Sequence, residues 1–153
     1  MNPLTILMTN TWLVQRGGSE LYVRDLAIAL KKKGHRPLVF SPQLGEVADE
    51  IRLAGIEVSD QLSSFSGDID LIHGQHHLET LTALMYFQNT PAIFICHGAK
   101  PWEEQPPQFP RIAKYCAVDH ACVERVMQET GTGRDQIAEV LNFVDLERFK
   151  LKP

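Results

Sequence analysis

The sequence predicts an alternating α/β domain, a mostly parallel sheet covered by helices on both faces in three layers. Three observations carry that expectation. Short apolar, β-branched runs alternate with segments of helical period along the chain. The first run passes into the first helix through Gly17-Gly18-Ser19-Glu20, a glycine turn at a helix N-terminus. At 153 residues and 44% hydrophobic, the chain is sized for one domain with a normal core.

Thr5–Met8 is short and apolar enough for a buried parallel strand, and Asn10–Arg16 makes a polar-aromatic loop. Ser19 is the expected N-cap of the first helix, with Glu20 in its first turn pairing Arg24 one turn on. Val23, Leu26, Ala27 and Leu30 fall at i, i+3, i+4 and i+7, one buried face. Lys31–Lys33 reads as a solvated helix end, with Gly34 as the left-handed residue beyond it.

Pro37–Phe40 is a second strand, Glu46–Leu53 a short helix closed by Gly55, and Ile56–Val58 a third strand. Ile69–Ile72 is a fourth, ending in His73-Gly74-Gln75-His76-His77, and a helix follows over Leu78–Gln88. Ala92–Cys96 is the clearest buried strand, with His97-Gly98 at its end. Ala99–Pro110 holds four prolines with Trp102 and Phe109, too many for a helix or central strand. Those two rings either pack the loop down or offer a face to a sugar or lipid. Tyr115–Val118, a helix over His120–Thr130, and Ile137–Leu141 complete a domain over residues 1–141, with 142–153 as an exit segment.

This order makes the fold Rossmann-like, and ligands of such sheets bind outside the C-terminal strand ends. Gly17-Gly18, His73, His76 and His97 all fall there. The glycine pair is either an anion site or only a tight turn. His97 is either functional or a core histidine bonded to backbone, while His76 and His77 read as solvated loop residues.

A net charge of −4 without a basic stripe argues against nucleic acid as the main partner. Three cysteines lack framework spacing, and no apolar run reaches membrane-spanning length. A reduced cytoplasmic setting is therefore expected, with peripheral contact at the inner face of a membrane left open. The glycines are adjacent rather than G-x-G-x-x-G, no Walker A sequence occurs, and G-x-S-x-G is absent. His73, His76 and His77 sit on a loop without carboxylates at helpful spacing, so no metal is expected. Cys96 and His97 are strand neighbours pointing to opposite faces, which disfavours a thiolate–imidazole pair and places Cys96 in the core.

Gly17-Gly18-Ser19-Glu20, Leu30…Gly34-His35, Asp70-Leu71-Ile72-His73, His97-Gly98 and Asn142–Phe149, in this order, resemble the N-terminal half of a retaining GT-B glycosyltransferase of glycosyl transferase family 4. The resemblance implies two Rossmann-like domains facing across a cleft, this one on the acceptor side. It implies that Gly17 and Gly18 reach the diphosphate of a nucleoside-diphosphate sugar and that His97 stabilises charge beside the transferred sugar. His73, His76 and Trp102 would lie toward the acceptor. The co-substrate is the nucleotide-sugar, and no cofactor or metal is implied.

Three departures accompany it. Phe143 stands where the motif N-G-V-D has glycine, and Asp119 where a serine often begins the sixth helix. The sequence ends at Pro153, where the resemblance would begin a second domain carrying a paired-glutamate motif. Glu139 and Glu147 share that spacing by accident. Alone, the chain is expected to be inactive, with its other half in cis or on a separate subunit. The rival expectation is a stand-alone Rossmann-like module binding a small phosphorylated ligand or a partner protein.

Overall fold

The computed structural model describes residues 2–146 and 149. In chain order, the described elements are β1 (Thr5–Thr9), β2 (Trp12–Leu13), α1 (Gly18–Lys32), β3 (Arg36–Phe40), β4 (Gln43–Leu44), α2 (Glu46–Leu53) and β5 (Glu57–Ser59). There follow β6 (Leu71–Gly74), α3 (His77–Tyr86), β7 (Ala92–Cys96), β8 (Ile112–Ala117), α4 (His120–Thr130) and β9 (Ile137–Glu139). Seven strands form one parallel sheet in the order β5-β3-β1-β6-β7-β8-β9. The strand order reverses between β1 and β6, so the ligand crevice of such a sheet opens above their C-terminal ends. The fold is the Rossmann-like three-layer α/β domain.

Alternation along each strand builds the two faces. Ile6 and Met8 of β1 pack with Val23, Ala27, Val47 and Ile51 under α1 and α2, while Leu7 packs with Ile72, Ala83 and Leu84 beneath α3. A third cluster joins Phe94 and Cys96 of β7 to Cys122, Val123 and Val126 of α4.

Several local expectations are corrected. Ser19 is not the N-cap: Gly17 holds that position without a side-chain hydrogen bond, and the Ser19 hydroxyl donates to Glu20 Oε2 at 3.0 Å. Glu20 does not pair with Arg24. The Arg24 guanidinium instead binds Glu50 at 2.6 Å and Asp25 at 2.7 Å, tying α1 to α2. The lysine run is exposed, as expected, and within it Lys31 also donates to the carbonyls of Ala54 and Gly55 and caps α2. Gly34 has φ +88°, and the bonds Gly34 N–H to Lys31 O and His35 N–H to Leu30 O close α1 in a Schellman turn. The fourth main strand starts at Leu71 rather than Ile69, because Asp70 docks across the start of β1, its carboxylate accepting from Thr5 N–H at 2.7 Å.

One element had no local signal. β2 and β4 pair in parallel, Trp12 opposite Gln43 and Leu13 opposite Leu44, as a ribbon beside the main sheet. Two residues per strand are too few for a pattern to show.

Candidate functional site

Above the switch point lies a cleft of about 420 Å³ lined by Gly18, Ser19, Tyr22, His97, Glu104 and Phe143, among others. α1 supplies one wall, the end of β7 another and the segment after β9 a third. A Cβ at Gly17 would fall 2.4 Å from a Glu20 carboxylate oxygen, so that glycine makes room for Glu20. A Cβ at Gly18 would meet nothing within 4 Å, and Gly18 is the glycine facing open space in the cleft. The sequence offered both as phosphate contacts. The geometry distinguishes them.

His97 lines the cleft, and its Nε2 is buried without a hydrogen-bond partner among the described residues. Burial lowers its pKa to about 4, against a partial opposing pull from the Glu104 carboxylate. The imidazole is therefore neutral at pH 7, one nitrogen a donor and the other an acceptor. Tyr22 packs edge-on to it at 4.4 Å between centroids, and Phe143 packs edge-on to Tyr22 at 5.6 Å. Burial pushes the Tyr22 hydroxyl up to about 12.

His73 lies behind this wall. Tyr22 stacks on its ring at 6.3 Å, its Nδ1 has no partner among the described residues, and burial lowers its pKa to about 4. Neither His73, His76 nor Trp102 lines the cleft. Trp102 is 63% exposed in a short helical turn, Trp102–Glu104.

His76 corrects the solvated reading. It is buried and has φ +62°, a backbone conformation disfavoured for any residue but glycine. Such strain persists only where surroundings over-determine it. His76 Nδ1 lies 3.0 Å from Thr11 N–H and 2.8 Å from the Thr11 hydroxyl, so both polar groups of Thr11 hold the ring. His76 Nε2 then meets Glu104 Oε1 at 3.3 Å, and the other Glu104 oxygen accepts His97 N–H at 2.8 Å. The Thr11 hydroxyl donates to Glu79 at 2.8 Å. One buried carboxylate thus joins the loops after β6 and β7. Nothing in the sequence singled out Glu104, one of two adjacent acids within a proline-rich loop.

Arg125 fixes that loop from α4, donating to Gly98 O at 2.9 Å and Pro101 O at 2.6 Å. The four prolines and these bonds make the stretch a pinned cover. Asp119 caps α4, accepting from Cys122 N–H at 2.7 Å, so an acid at this position does a serine's capping task. Phe143, the departure from the glycine of the exit motif, forms part of the cleft wall. Glu147 and Arg148 of that motif, and Pro153, lie outside the described residues. Cys96 is fully buried, and burial pushes its thiol up to about 11, which keeps it unreactive. Among the described residues no cluster of three or more His, Cys, Asp or Glu side chains could hold a metal ion, and no helix is long and apolar enough to cross a membrane.

A Rossmann-like domain with a cleft at its switch point is a ligand-binding architecture shared by many activities. The chain is similar in fold to a solved glycosyltransferase from Rickettsia africae ESF-5, with a TM-score of 0.71 and 17% sequence identity over 100% of this chain and 47% of that one. It thus spans about half the length of that structural neighbour. No family model and no curated protein matches the sequence.

Proposed function

We propose that the chain is the N-terminal, acceptor-side half of a GT-B glycosyltransferase that moves a sugar from a nucleoside-diphosphate sugar with retention. The observation that carries this reading is the cleft itself, which brings together an unobstructed glycine at a helix N-terminus and the neutral His97. The likeness to a glycosyltransferase over the whole chain supports it. Gly18 and the free N–H groups of the first turn of α1 suit the diphosphate as it gains charge on leaving. His97, as a neutral dipole, hydrogen-bonds a hydroxyl of the transferred sugar. The bond from sugar C1 to the diphosphate breaks, the bond to the acceptor oxygen forms on the same face, and the acceptor proton leaves with the diphosphate. The base and ribose would be held by the facing half, in cis or on another subunit, and no metal is required.

The test is sugar transfer by the protein together with that half. His97→Ala is expected to lower kcat about 100-fold, the scale of losing one preorganised hydrogen bond at the reacting centre, with the donor KM little changed. Unchanged turnover sinks the assignment. The isolated chain is expected to bind nucleoside diphosphate weakly or not at all. Micromolar binding lost on Gly18→Val, a change the fold accommodates, would mark a stand-alone module for a phosphorylated ligand instead.

A further inference from the structure

On the other side of the first turn of α1 lies a second hollow, of about 400 Å³, lined by Trp12, Val14, Gln15, Glu20 and Gln43. From this hollow we infer that it is a saccharide-binding subsite, and, resting on the transferase reading, that it seats a neutral sugar of the acceptor. Its volume is within the range of small-molecule sites, about 300–1,000 Å³.

The β2–β4 ribbon builds it. Leu13 and Leu44 turn into the core, so Trp12 and Gln43, one register position away, share the opposite face. The ribbon is fixed: Asn10 Nδ2 donates to Trp12 O at 2.6 Å, and the Ser41 hydroxyl contacts Thr11 O and Gln43 O, both at 3.0 Å. Trp12 also packs edge-on against the buried His76 ring at 5.7 Å. The indole is therefore held by the same strained histidine that Glu104 braces.

The lining suits a sugar. A sugar ring offers apolar C–H faces and a rim of hydroxyls that both donate and accept. Trp12 supplies a flat ring, the Gln15 and Gln43 amides supply donors and acceptors, and Glu20 supplies acceptors. Among the described residues, the Trp12 indole N–H and both glutamine amides make no hydrogen bond, and the Glu20 carboxylate accepts only from Ser19. No lysine or arginine lines the hollow while a carboxylate does, which favours a neutral ligand over a phosphate. Gly18 and Ser19 line the cleft and Glu20 lines the hollow, so the two flank the same first turn of α1.

The experiment follows the indole N–H signals of Trp12 and Trp102 in nitrogen-15-labelled chain during titration with methyl glycosides of glucose, galactose, mannose and N-acetylglucosamine. At least one glycoside is expected to shift the Trp12 signal saturably and leave Trp102 unmoved, with binding at least tenfold weaker in Gln43→Ala. A Trp12 signal that no glycoside moves, or a response unchanged in Gln43→Ala, overturns the site. The titration needs neither donor nor facing half. Binding without sugar transfer by the assembled protein would therefore defeat the transferase reading alone. Transfer without a Trp12 response would defeat the subsite alone.

Discussion

Replacing Glu104 by alanine is expected to cost about 4 kcal/mol of stability, while alanine at the neighbouring Glu103 costs within about 0.5 kcal/mol. The difference follows from what each carboxylate touches. Glu104 is 5% exposed, accepts from His97 N–H at 2.8 Å and lies against His76 Nε2 at 3.3 Å. Its removal strands the His97 N–H and takes away the carboxylate against the buried His76 ring, at about 1–3 kcal/mol each. It also releases His76, whose positive φ is held by Thr11 on one side and Glu104 on the other. Glu104→Gln keeps the shape and one oxygen acceptor for His97 N–H but loses the carboxylate beside His76, so about half the loss is expected. Urea unfolding of the three variants measures this. Equal midpoints for Glu104→Ala and Glu103→Ala would mean that the two loops are joined by something else.

The second large effect is on pH. His73 has an ordinary pKa of 6.5 that burial, reinforced by His97 nearby, lowers to about 4 in the folded chain. Above pH 6.5 both folded and unfolded forms are neutral, and the group contributes no pH dependence. As pH falls from 6.5 toward 4 the unfolded chain takes up a proton that the folded chain refuses, so stability is lost across that window. A fall from 6.5 to about 4 is worth about 3 kcal/mol. His97, lowered to about 4 with burial as the main cause, acts in the same direction. Unfolding free energies at pH 7.5 and pH 4.5 should therefore converge in His73→Gln relative to the parent. Identical pH dependence in the two proteins would show that His73 titrates alike in the folded and unfolded chain.

The sequence by itself determined the fold class and the succession of the main strands and helices along the chain. Runs such as Ala92–Cys96 are apolar on both faces and short, and the helical period of Val23 and Ala27 needs no partner to be visible. It also placed His97 and the glycine pair at strand ends, because a parallel sheet puts those ends on one side. The roles within the site were a tertiary matter. Gly17 and Gly18 are alike in sequence, yet Glu20 fills the space beside one and leaves the other open. His76 looked solvated because its partners, Thr11 and Glu104, lie 65 and 28 residues away along the chain. Arg24 offered Glu20 a bond at helical spacing, but Glu50 on α2 and the adjacent Asp25 took it. Pattern and periodicity report which side of an element is buried. A carboxylate's partners depend on which loops meet there, and only the folded chain decides that.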